Sequence, residues 1–103
     1  MSIIKVDYGE LGGGGSLSYT QETQADNSTE QYSISNGVIV AHGKDSANLY
    51  RAQFLGYFEN GTMQEVLKGG YATTSYSGGE LSLTLYGGSG YGDGWYVEVF
   101  KIN

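Results

Sequence analysis

The chain has 103 residues with 11 acidic and 5 basic side chains, a net charge of −6, which is one domain's worth of sequence with a single core of modest size. That charge repels phosphate backbones and anionic lipid, arguing against nucleic-acid and membrane-surface partners, and the absence of cysteine removes disulfides and cysteine-based zinc sites. Eighteen glycines and ten tyrosines with no proline favour turns and aromatic-bearing strands over helices.

Residues 3–8 alternate Ile4, Val6 and Tyr8 against Ile3, Lys5 and Asp7, the two-residue period of a half-buried strand. The short apolar run at the start is broken by charge, so neither a signal peptide nor a transmembrane segment is expected. Gly12 to Gly15 carry no side chain to pack and read as a joint. Residues 1–15 are therefore taken as an N-terminal strand and joint, a candidate attachment segment, and residues 16–103 as the domain. Residues 16–20 form a short strand with Leu17 and Tyr19 on one face; residues 21–31, polar and without period, are expected as an exposed loop.

Asn36-Gly37 and Asn60-Gly61 each lie between strand-like runs and predict hairpins, because this dipeptide accepts the positive φ values of a type I′ turn. After the second, residues 62–68 read as a strand. Thr62-x-x-Glu65 followed by Gly69 offers the competing reading of a short capped helical turn. Ser77-Gly78-Gly79-Glu80 turns the chain from 71–76 into Leu81, Leu83 and Leu85, which alternate with Ser82 and Thr84 and leave one dry face and one wet face. Residues 95–102 are apolar at both parities apart from Glu98 and Lys101, which predicts a strand that is central or covered on both sides. The expected fold is all-β: a single antiparallel β-sandwich or jelly-roll-like domain of about eight short strands.

The inventory for chemistry is thin. His42, the sole histidine, reads as a hydrogen-bonded or half-exposed group near a strand end rather than a catalytic base. No Gly-x-Ser-x-Gly elbow supports a serine nucleophile, and most acidic residues fall in expected loops and turns. No catalytic residue, metal site or cofactor is assigned. The glycine-rich runs do not suit a phosphate, since Asp93 occupies the place of the third glycine in Gly88-Ser89-Gly90-Tyr91-Gly92-Asp93. Arg51, the only arginine, reads first as the partner of a structural carboxylate and second as a holder of an anionic ligand.

The segment from Tyr86 to Tyr96 holds five glycines, three tyrosines, Asp93 and the only tryptophan. Tyr86, Tyr91, Asp93, Trp95 and Tyr96 are the candidate contact residues: rings that stack on a sugar or anchor a protein interface, with a carboxylate that accepts hydroxyl hydrogen bonds. The alternative is that Trp95 is the first core residue of the last strand and the glycines form a long hairpin loop around Tyr91.

The opening Ile3-Ile4-Lys5-Val6-Asp7-Tyr8-Gly9-Glu10-Leu11, running into Gly12 to Gly15, resembles the start of small proteins encoded by phages and prophages of Gram-positive bacteria, often near tail and fibre genes. The resemblance covers about a dozen residues and transfers no ligand or catalytic residue. It implies a virion-associated or accessory protein, located in the virion or the host cytoplasm, with the first strand as its attachment element. The expectation is a non-catalytic structural or adhesion module acting through a protein partner, a cell-surface carbohydrate or copies of itself, a homotrimer being one form. A phage-encoded small-ligand binder or inhibitor of a host defence system is the alternative.

Overall fold

The computed structural model describes residues 3–11, 15–44, 49–86 and 95–102. Among them the fold is all-β, with nine strands: β1 (Ile3–Leu11), β2 (Gly15–Gln24), β3 (Ser28–Ser33), β4 (Gly37–Lys44), β5 (Tyr50–Glu59), β6 (Thr62–Lys68), β7 (Ala72–Ser77), β8 (Glu80–Leu85) and β9 (Trp95–Ile102). They form two antiparallel sheets, one in the order β1-β2-β9-β4-β5-β6 and one in the order β3-β8-β7, an arrangement compatible with a β-sandwich. None of the described residues forms a helix long and apolar enough to cross a membrane.

Period-two patterning decides what lies between the sheets. Ile39, Ala41, Phe54, Phe58, Trp95, Val97 and Val99 of the larger sheet meet Tyr32, Ala72, Leu81, Leu83 and Leu85 of the smaller one, with Ile34 from the connection between β3 and β4. Their burial removes apolar surface from water, the dominant favourable term in folding. On β8 the leucines point inward while Ser82 and Thr84 face out, as the alternation predicts.

Local signals form several of the connections. Asn60 and Gly61 adopt φ values of 51° and 74°, and Gly78 and Gly79 values of 59° and 77°, joining β5 to β6 and β7 to β8 as tight hairpins. Residues 62–68 are the edge strand β6, and the capped helical turn does not form.

Other connections depart from the sequence reading. Asn36-Gly37 is not a hairpin turn, because β3 and β4 belong to different sheets and Asn36 lacks the positive φ of a type I′ turn. Gly37 is needed for a close approach instead: with φ +140°, a Cβ there would lie 1.9 Å from the carbonyl oxygen of Phe100. Residues 21–31 are not one exposed loop, since β2 runs to Gln24 and β3 starts at Ser28. The first strand extends the larger sheet by one strand, β1 pairing with β2 from Ile3 opposite Glu22 to Leu11 opposite Gly15. Tyr86 to Tyr96 does not frame a hairpin either. Both neighbours of β8 are already taken by β3 and β7, and both neighbours of β9 by β2 and β4, so this segment carries the chain from one sheet to the other.

Two buried glutamines mark places where the chain leaves the larger sheet. At the end of β2, Gln24 is 1% exposed; its Nε2 donates to the carbonyls of Ser28 (3.0 Å) and Leu83 (2.8 Å), and its Oε1 accepts the Tyr32 hydroxyl at 2.8 Å. On β5, the Gln53 carbonyl accepts the Gly69 N–H at 2.7 Å while its side-chain Oε1 accepts the Tyr71 N–H at 3.3 Å, pinning the turn from β6 to β7. Polar groups withdrawn from water must be hydrogen-bonded, and these amides meet that condition by tying one sheet to the other.

Candidate functional site

The structure disperses the five residues singled out in the sequence. Trp95 is fully buried in the core, its Nε1 donating to Asp26 Oδ1 at 3.3 Å, so it offers no face to a ligand. Tyr96, the next residue, points to the opposite side of the sheet because successive strand residues alternate faces. Tyr86 is exposed beside the turn between β6 and β7, donating to the Gly70 carbonyl at 3.0 Å with its ring edge-on to Tyr71 at 6.1 Å. Tyr91 and Asp93 lie outside the described residues.

Another constellation assembles around Tyr96, on the outer face of the larger sheet. Register puts Tyr19 of β2 and Val38 of β4 on either side of Phe100 of β9, with Tyr57 of β5 beyond Val38. The next row along the strands is Gln21, Glu98, Val40, Leu55, and the one after is Thr23, Tyr96, His42 and Ala52. Glu98 sits at the centre. Its Oε1 accepts the Tyr19 hydroxyl at 2.5 Å and its Oε2 accepts His42 Nε2–H at 2.6 Å. The other imidazole nitrogen, Nδ1, bonds the Tyr50 hydroxyl. Rings surround this centre: Tyr19 and Phe100 have centroids 4.9 Å apart, and His42 lies 5.5 Å from Tyr50 and 5.8 Å from Tyr96.

An ionised carboxylate only accepts hydrogen bonds, so Glu98 fixes the imidazole proton on Nε2; in the neutral ring Nδ1 then accepts from Tyr50. Glutamate, histidine and hydroxyl stand in the order of a nucleophile relay, yet the Tyr50 phenol is held above its ordinary pKa by burial first, and then by the Glu98 carboxylate and Tyr96. An activated nucleophile requires the opposite shift. What the arrangement does is hold one carboxylate, oriented by a phenol and an imidazole, among rings and aliphatic side chains. No group of three or more histidine, aspartate or glutamate side chains among the described residues is placed to hold a metal.

The opposite side of the molecule serves as an internal control. The outer face of the smaller sheet is built from rows Thr29-Thr84-Thr73, Gln31-Ser82-Ser75 and Ser33-Glu80-Ser77, with the Thr29 and Thr84 hydroxyls 2.7 Å apart. That is the composition of a face turned to water. The larger sheet's outer face, with tyrosine, phenylalanine, valine and leucine in the same positions of the pleat, is not. At a strand spacing of ~4.8 Å and a same-face step of ~6.8 Å, the three rows from β2 to β5 span roughly 14 by 14 Å, about 200 Å² before side chains widen it.

Of these residues, sequence reasoning had singled out Tyr96 and anticipated His42 as a bonded histidine near a strand end. It missed Tyr19, Tyr50, Glu98 and Phe100 as a group. The available signal was β9 itself, apolar at both parities with Glu98 as one of two interruptions. Compared with known proteins, the chain matches no family model, no curated protein and no solved structure.

Proposed function

We propose that this protein is a non-catalytic contact module, of structural or adhesion type, that engages a partner protein through the outer face of the β2-β9-β4-β5 region. The observation that carries this reading is the contrast between the two outer faces. One is hydroxyl-rich, as solvent requires; the other is apolar and aromatic on strands whose inner face already forms the core. A strand apolar at both parities calls for cover on both sides, and aromatic residues are the ones enriched at protein interfaces. Val38, Val40 and Leu55 between the rings favour a protein over a sugar, because aliphatic side chains gain from apolar packing and offer nothing for a hydroxylated ring to stack on. The resemblance of the first dozen residues to phage proteins supports a virion-associated setting for such a module.

The test is photo-cross-linking in cells that carry the gene. The photoreactive residue p-benzoylphenylalanine is placed at position 57, on the apolar face, or at position 82, on the hydroxyl face. A discrete protein adduct from position 57 and none from position 82 is expected. Adducts from position 82 alone, equal adducts from both, or none from either would refute the assignment, and an adduct to polysaccharide would replace the protein partner with a glycan.

A further inference from the structure

Resting on that reading, we propose that the partner presents a cationic side chain, an arginine or lysine, that seats against Glu98 at the centre of the aromatic face. Covering this face withdraws the carboxylate from water, and burying a carboxylate is penalised unless counter-charge and hydrogen bonds saturate both its oxygens. Glu98 is already positioned to accept: Tyr19 and His42 hold one oxygen each at 2.5 and 2.6 Å, and each oxygen keeps a lone pair. His42 is the one basic side chain seen against Glu98 among the described residues, and a partner's guanidinium or ammonium supplies the further donors that a covered carboxylate requires.

The surroundings suit a cation as well. Tyr96 and Phe100 flank Glu98 two residues away on the same side of β9, and Tyr19 packs on Phe100 at 4.9 Å, so an incoming guanidinium meets ring faces beside the carboxylate. Ring faces attract cations, arginine more often than lysine. The long-range field acts in the same direction, because a chain of net charge −6 draws basic partners. A second copy of the chain is disfavoured: a two-fold contact centred on β9 would set Glu98 against its own counterpart.

Two measurements test this. In the cross-linking cells, Glu98→Gln keeps the shape of the side chain and removes its charge. The position-57 adduct should fall at least fivefold, and fragment mass spectrometry should place an arginine or lysine of the partner beside the cross-link. An undiminished adduct in Glu98→Gln would overturn the cationic assignment while leaving the contact face standing; no adduct from the parent protein would remove the face itself. In vitro, the ¹⁵N-labelled full chain is titrated with N-acetyl-arginine methylamide and with its neutral citrulline isostere. Shifts centred on Tyr96, Glu98 and Phe100 with the arginine compound, weakened at least tenfold by citrulline and by Glu98→Gln, are expected. Equal responses to both compounds, shifts centred elsewhere, or no shift at 100 mM would each refute the proposal.

Discussion

Replacing Gln24 by alanine tests whether a buried amide ties the two sheets together. The substitution removes three hydrogen bonds at a residue 1% exposed, to the Ser28 and Leu83 carbonyls and from the Tyr32 hydroxyl. Each such bond contributes about 1 kcal/mol net, and a buried donor left without an acceptor costs about 1–3 kcal/mol. Tyr32 is 6% exposed, and without Gln24 its hydroxyl keeps only the Glu22 carboxylate as an acceptor. Q24A should therefore destabilise the fold by about 3 kcal/mol, a large part of the 5–15 kcal/mol typical of a domain. Y32F alone loses one bond and leaves Gln24 Oε1 unpaired, at about 1–3 kcal/mol. The Gln24–Tyr32 bond is lost in each single variant and only once in the double, so the sum of the single effects should exceed the double effect by about 1 kcal/mol, above the ~0.5 kcal/mol scatter of independent sites. Urea unfolding followed by the emission of Trp95, with equal m-values across the four proteins, measures the cycle. Single effects that add to within that scatter would refute the bridge.

Other substitutions probe separate parts of the argument. Gly37→Ala should cost more than about 2 kcal/mol, because its Cβ would lie 1.9 Å from the Phe100 backbone oxygen; Gly69→Ala, whose Cβ meets the Gln53 side chain at 2.1 Å, should cost less, since a side chain yields more readily than a strand, and thermal melts rank the pair. Burial first, then the charges of Glu22 and Glu30, raise the Tyr32 phenol above its ordinary value. The folded state therefore keeps a proton that the unfolded chain loses near pH 10; the contribution is fully present below that pH and is lost as pH rises towards the folded value. Urea midpoints should fall more steeply above about pH 10 in the parent than in Y32F, and parallel slopes would count against it. Phe100→Ser should lower stability by about 1–3 kcal/mol, in keeping with a partly buried ring packed on Tyr19, while removing the position-57 adduct from the folded protein; an intact adduct would place the contact elsewhere.

Where local chemistry alone decides the outcome, the sequence was readable. Leu81, Leu83 and Leu85 announce their face, and Asn60-Gly61 and Gly78-Gly79 turn as their backbone freedom allows. Asn36-Gly37 has the same composition and another fate, because the deciding contact is with Phe100, distant in sequence. Gln24 misled for a related reason: a polar residue among polar neighbours looks exposed, and its burial rests on Leu83, 59 residues away, supplying an acceptor. The outer face was hidden in the same manner. Glu98 meets His42 and Tyr19 across separations of 56 and 79 residues, and only strand order and register bring them together.

The place of β9 bears on how the molecule reaches this state. The ninth strand in chain order lies between β2 and β4, so the larger sheet cannot close before Trp95–Ile102 is available. Until then β2 and β4 each expose a row of unpaired backbone groups, the kind of edge that recruits foreign strands. Pairings such as Leu17 with Ile102 close very long loops, which makes folding slow for a domain of this size. During synthesis the first eight strands wait for the last, and in that interval two strand edges of the larger sheet stand open.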